Sequence, residues 1–187
     1  MVTGSQQSGK STLCRILVNY ALKLGWTPIL ADIDLQSSDV SPPGSISATV
    51  MQPSTSLGLG DFLGGFQGET GPPTVTCFHS DTKMITHEFY QKQVSELAES
   101  VRTKLANDLQ NFLRQHQLAD EEASANPTPK ELQLKEIAGV VAPPYPEHFA
   151  SGTIINGFTP TDKNQIETLV KAAKDFNVSV ILVMDSE

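Results

Sequence analysis

Residues Gly4 to Ser11 read GSQQSGKS, which fits the spacing G-x-x-x-x-G-K-[ST], and they run directly into a helical pattern. That junction constrains the fold more than any other feature of the chain. Glycines at both ends let backbone N–H groups curl around phosphate oxygens, and the positive end of the next helix points at the same spot. The predicted nucleotide-binding residues are Gly4, Ser5, Gln6, Gln7, Ser8, Gly9, Lys10, Ser11 and Thr12. Lys10 would reach the β and γ phosphates and the Ser11 hydroxyl would coordinate Mg²⁺, so ATP and Mg²⁺ are the expected cofactors. A loop of this kind normally hangs from a buried strand, yet only Met1, Val2 and Thr3 come before it. The expectation is therefore a piece of a longer protein that lacks the first strand.

The remaining text supplies the alternation that such a loop requires. Leu13, Ile16, Leu17, Tyr20, Ala21 and Leu24 recur at helical spacing, with Gly25 placed to end the run. Thr27 to Asp34 (TPILADID) predicts a buried strand with its acidic end at the sheet edge. Ser, Pro and Gly dominate Leu35 to Pro73, which predicts an irregular excursion, and PTVTCF (73–78) predicts a further strand. An apolar stripe from Phe89 through Leu97, Val101, Leu105, Leu109, Phe112 and Leu113 predicts a long helix over about 85–117. Prolines and small polar residues over about 118–151 predict an insertion-like segment. GTIIN (152–156) reads as a strand, Asn164 to Phe176 as a helix, and VSVILVMD (178–185) as a fully buried strand. Strands separated by helices predict a single α/β domain over residues 1–187, a P-loop NTPase-like parallel sheet sandwiched by helices.

Two carboxylates follow the loop's helix. Asp34 ends the next strand, so in a parallel sheet it should lie near Ser11, where it can hold Mg²⁺ or take the proton of an attacking hydroxyl. Lys10 and Asp34 are thus the candidate catalytic pair, and Ser11 and Asp34 the candidate metal ligands. Asp32, two residues earlier on the same strand face, and Asp185, at the end of the last strand, are weaker candidates.

Composition removes several other functions. A net charge of −8 argues against coating duplex nucleic acid by bulk charge. No apolar stretch is long enough to cross a membrane, so no membrane partner is expected. Cys14 and Cys77 are not spaced as a ligand pair and read as reduced thiols; His79, His87, His116 and His148 are scattered.

The ordered set GSQQSGKSTLCRILVNYALKLG, DID followed by Ser-Pro-Pro-Gly, and TIIN with a closing AAKDFNVSVILVMDSE resembles the P-loop domain of the Clp-type polyribonucleotide 5′-hydroxyl kinase and pre-mRNA cleavage complex subunit family. The resemblance covers most of residues 2–60 and 150–187. It implies γ-phosphate transfer from ATP or GTP to an RNA 5′-hydroxyl end, in machinery for mRNA 3′-end formation and tRNA splicing. Protein subunits of that complex would be partners, and the location nuclear. Carried over to this chain, Lys10 would grip the phosphates, Ser11 and Thr12 would sit at Mg²⁺, and Asp34 would activate the hydroxyl. FHSDTK (78–83) departs from a Phe-Gly-Ser-Thr-Thr-Pro segment of active members. NGFTPTDKNQ (156–165) has Pro160 where they place an RNA-gripping tryptophan, leaving Phe158 as the nearby stacking face. The family's arginine-bearing lid would lie beyond Glu187. A catalytically silent ATP-binding scaffold and another P-loop kinase or GTPase-like switch are the alternatives.

Overall fold

The computed structural model describes residues 1–37, 40–51, 74–78, 85, 88–125 and 150–185. Among these residues six strands form one sheet: β1 (Val2–Gly4), β2 (Pro28–Asp32), β3 (Ser45–Val50), β4 (Thr74–Phe78), β5 (Gly152–Asn156) and β6 (Leu182–Met184), in the order β4-β3-β2-β5-β1-β6. Among the described residues three helices cover it: α1 (Lys10–Lys23), α2 (Glu88–Ala125) and α3 (Lys163–Asp175).

Alternation along β2 sorts the two faces. Leu30 points to one side, where it packs with Val2, Cys14, Val18 and Met51 beneath α1. Ile29, Ala31 and Ile33 point to the other, with Tyr90, Val94, Leu97 and Val101 of α2 and Leu169 and Ala172 of α3. The expected α/β architecture, a sheet sandwiched by helices, is therefore present.

Four details differ from the sequence-based expectations. The sheet is mixed, because β2 pairs β3, and β3 pairs β4, antiparallel. β3 lies inside the stretch expected to be irregular, and all six of its residues are buried; SISATV alternates Ser or Thr with apolar residues, and its polar face is buried too, with Ser45 and Ser47 bonded to Ser41. The strand expected to be missing is there: Val2–Gly4 pairs β5 on one side and β6 on the other. Finally, β6 is expected to be fully buried, yet among the described residues it is an edge strand bonded to β1, and Val183 is 74 % exposed. Residues 52–73 and 126–149 of the excursion and the insertion-like segment lie outside the described residues, as does most of FHSDTK.

α1 ends at Lys23, and Gly25, at φ 79, takes the left-handed turn. α3 is closed at its start by Asp162, whose carboxylate accepts from Gln165 N, while Gln165 Oε1 accepts from Thr161 N at 2.8 Å. That reciprocal box fixes the loop between β5 and α3. α2, at 38 residues, runs past the predicted end at Gln117.

Candidate nucleotide-binding site

Strands β1, β2, β5 and β6 run parallel, so their C-terminal ends meet at one sheet edge. Gly4 and Ser5, Asp32 to Asp34, Asn156 to Thr159, and Met184 are thereby gathered from distant parts of the sequence. Gly4 is held by a close backbone approach. It adopts φ 141, and a Cβ there would lie 1.8 Å from the Met184 carbonyl oxygen, which also accepts from Ser5 N at 2.9 Å. Gly9 supplies the second special position, φ 87, immediately before α1.

The start of α1 has no side-chain cap and no acidic residue in its first turn. Its first N–H groups and its positive dipole end thus face the loop without an internal carboxylate against them. Lys10 is only 8 % exposed, and its ammonium donates to Ser5 O and to Thr159 Oγ1, both at 2.8 Å. Both partners are neutral oxygens, so its positive charge stays directed at the loop. Ser8 Oγ donates to the same Ser5 carbonyl. Gln6, Gln7, Gly9 and Thr12 are exposed, and Ser11 is half-buried.

Asp32 sits on the same face of β2 as Leu30, toward α1, and the register pairs it with Asn156 of β5. Asn156 Nδ2 donates to Asp32 Oδ1 at 3.2 Å and to Ser11 Oγ at 3.3 Å, joining the buried carboxylate to the loop. Asp32 Oδ1 also accepts from Asp34 N at 3.1 Å. Asp34 is half-buried, and its own Oδ1 accepts from Gln36 N at 3.0 Å in the following turn. The structure therefore brings both carboxylates to the loop's edge, with Asp32 the one bonded through Asn156 to Ser11. Asp185 follows Met184 next to the loop's first turn, with its side chain exposed.

A second layer fixes this corner. Ile33 N donates to Asn156 O at 3.0 Å, and Ile33 O accepts from the Tyr90 hydroxyl at 2.6 Å. Burial pushes the Tyr90 pKa well above its ordinary value, and the charges of Asp34 and Asp32 push it further. Phe158 packs edge-on against Tyr90, with ring centroids 6.1 Å apart, and is 1 % exposed. The expected stacking face at Phe158 is thus not available: the ring belongs to the core, and Thr3 Oγ1 pins its carbonyl at 2.9 Å.

The donor set suits both expected cofactors. An uncapped helix start beside a lysine fits a polyphosphate, while a hydroxyl and carboxylates are hard oxygen ligands of the kind Mg²⁺ takes along with phosphate oxygens. Among the described residues no group of three His, Cys, Asp or Glu side chains gathers as a metal site. Sequence reasoning missed Asn156, Thr159 and Tyr90. The one available signal was a polar residue closing the apolar strand GTIIN.

A family model described as the mRNA cleavage and polyadenylation factor CLP1 P-loop matches residues 4–118. The chain belongs to the CLP1 P-loop family. Among curated relatives, a polyribonucleotide 5′-hydroxyl-kinase Clp1 from Danio rerio is 29 % identical over 187 residues, covering all of this chain and 32 % of the relative. A CLP1 homolog protein from Anopheles gambiae is 33 % identical over 105 residues, covering 56 % of this chain and 23 % of its own length. The chain spans about a third of the length of the curated relatives it matches. A wild-type Clp1p–Pcf11p complex superposes with a TM-score of 0.60 at 22 % identity, covering 100 % of this chain and 36 % of that one. A second such complex, described for ATP loss in a glycine-to-arginine mutant, gives 0.58 at 21 % identity over 97 % of this chain and 36 % of that one. The two complexes carry the fold assignment.

Proposed function

We propose that this chain binds ATP with Mg²⁺ in the Gly4–Thr12 loop, as the P-loop part of a polyribonucleotide 5′-hydroxyl kinase-like subunit of the pre-mRNA 3′-end cleavage machinery, acting in the nucleus. One observation carries the reading. At a single sheet edge an uncapped helix start, Lys10, Ser11 and the carboxylates Asp32 and Asp34 converge.

In this reading the loop amides and Lys10 bind the phosphates, with Lys10 exchanging its contacts to Ser5 O and Thr159 Oγ1 for phosphate oxygens. Mg²⁺, when bound, neutralises phosphate charge; Ser11 and a nearby carboxylate would hold it. Asp34 sits half-buried at the rim, its Oδ1 accepting from Gln36 N, and there it would accept the proton of an RNA 5′-hydroxyl. The kinase names of the relatives and the Clp1p–Pcf11p complexes support the substrate class and protein partners from a cleavage complex.

The buried Phe158 ring favours a second reading, a catalytically silent ATP-binding scaffold, because that loop then offers no aromatic face to an RNA base. Calorimetry of the 187-residue chain with ATP and Mg²⁺, paired with transfer of labelled γ-phosphate to a 5′-hydroxyl oligoribonucleotide, separates the two. Binding with transfer that Asp34→Ala abolishes supports the kinase. Binding without transfer, even in a chain of the relatives' length, supports the scaffold. No ATP binding overturns both.

A further inference from the structure

We propose that Asn156 is a positioning residue that sets the Ser11 hydroxyl for the metal of the nucleotide, an inference that rests on the ATP–Mg²⁺ reading above. Its side chain is 2 % exposed, so every polar atom on it needs a partner inside the protein. Asp32 can only accept, which forces the Nδ2 end of the carboxamide toward it. The two N–H groups then have three acceptors in reach: Asp32 Oδ1 at 3.2 Å, Ser11 Oγ at 3.3 Å and Ser37 Oγ at 3.5 Å. Two protons cannot serve three acceptors equally, and the two shorter contacts take them. The Cys14 thiol, 4.0 Å away, faces the Oδ1 end.

The consequence falls on Ser11. Its oxygen carries two lone pairs, and Asn156 fills one of them from below the loop. The other lone pair is left for a cation on the phosphate side, and the hydroxyl loses the rotational freedom an exposed serine would keep. Asn156 itself touches neither phosphate nor metal; it acts through Ser11 and Asp32. The backbone holds this arrangement in register, since Asp32 pairs Asn156 across β2 and β5, and Asn156 O also accepts from Ile33 N.

The test compares ATP affinity of the 187-residue chain with Mg²⁺ and with EDTA, by calorimetry. Partners of metal ligands typically change metal affinity about 10–100-fold, so Asn156→Ala should cut the Mg²⁺-dependent gain by about tenfold or more while Mg²⁺-free affinity shifts less than about threefold. Asn156→Thr, compatible with a strand but without the carboxamide N–H groups, should lose the same gain and serves if the alanine variant fails to fold. In a Ser11→Ala background the Asn156 change should have no further effect on the gain. A Mg²⁺ gain that survives either Asn156 variant, an equal loss with and without Mg²⁺, or additive losses in the double variant overturns the proposal and leaves the ATP reading standing. If the unaltered chain binds no ATP, both fall together.

Discussion

At the scale of single residues the site divides into what spacing announces and what only the fold assembles. Lys10 and Ser11 follow from eight consecutive letters, because a phosphate loop is local in sequence. Replacing Lys10 with Ala should weaken ATP binding by about 1.5–3 kcal/mol, roughly 10- to 150-fold, by removing a charge-assisted contact; unchanged affinity by calorimetry would remove Lys10 from the site. Asn156, Thr159 and Tyr90 carry no spacing signal, since each meets the loop or its carboxylates through strand register or helix packing more than 50 residues away. Tyr90 gives a pH test. Its pKa is raised on folding, so the folded state holds the phenol proton more tightly than the unfolded chain does. The resulting stability is full below the ordinary pKa of 10.0 and drains away as pH climbs above it toward the folded value. Tyr90→Phe should cost about 1 kcal/mol at pH 7 through the lost bond to Ile33 O, yet unfold less steeply than the unaltered chain between about pH 10 and 12. Urea titrations across that range by circular dichroism would expose parallel curves if the assignment is wrong.

At the scale of elements, periodicity placed α1, β2, α2, β5 and α3 but misjudged how far the apolar stripes of α1 and α2 are buried. Of the stripe expected for α1, Leu13, Leu17 and Ala21 are half-buried and Ile16, Tyr20 and Leu24 are exposed, while the buried apolar side chains of the helix are Cys14 and Val18. Helical spacing finds an apolar side, but the position of the sheet decides how far the helix is rolled. On α2, Leu97 and Val101 enter the core, while Leu109 and Leu113, further along the helix, are exposed. At that point Asp108, 3 % exposed, replaces apolar packing: its Oδ2 accepts from Ala150 N at 2.8 Å and its Oδ1 from Lys104 Nζ at 2.8 Å. This carboxylate ties Ala150, two residues before β5, to the long helix, a contact between positions 42 apart that composition cannot show. Asp108→Ala strands a buried N–H and should lower stability by about 1–3 kcal/mol; Asp108→Asn, which keeps an acceptor, should lose less. Equal losses in urea unfolding would mean that the bond to Ala150 contributes nothing.

At the scale of the whole molecule, strand order decides how the loop is held. β1 has only three residues, so its grip comes from neighbours on both sides, β5 through Gly157 N to Val2 O at 2.8 Å and β6 through Ser5 N to Met184 O. A three-residue strand offers too short a pattern to be read from sequence, which is why its presence was not legible. Gly4 is where the two supports meet, and a Cβ at 1.8 Å from Met184 O cannot be accommodated without separating β1 from β6. Gly4→Ala should therefore cost on the order of 3 kcal/mol or more and lower ATP affinity together with Tm. The outer side of the same support behaves oppositely. Val183 is an exposed apolar residue on an edge strand, so Val183→Lys should leave the unfolding free energy within about 0.5 kcal/mol while weakening any edge-to-edge self-association of the chain. Thermal unfolding and sedimentation of the two variants separate the sides of β6: a large loss of stability in Val183→Lys would mean that the strand's outer surface is packed after all, and a mild Gly4→Ala would mean that the loop does not depend on β6.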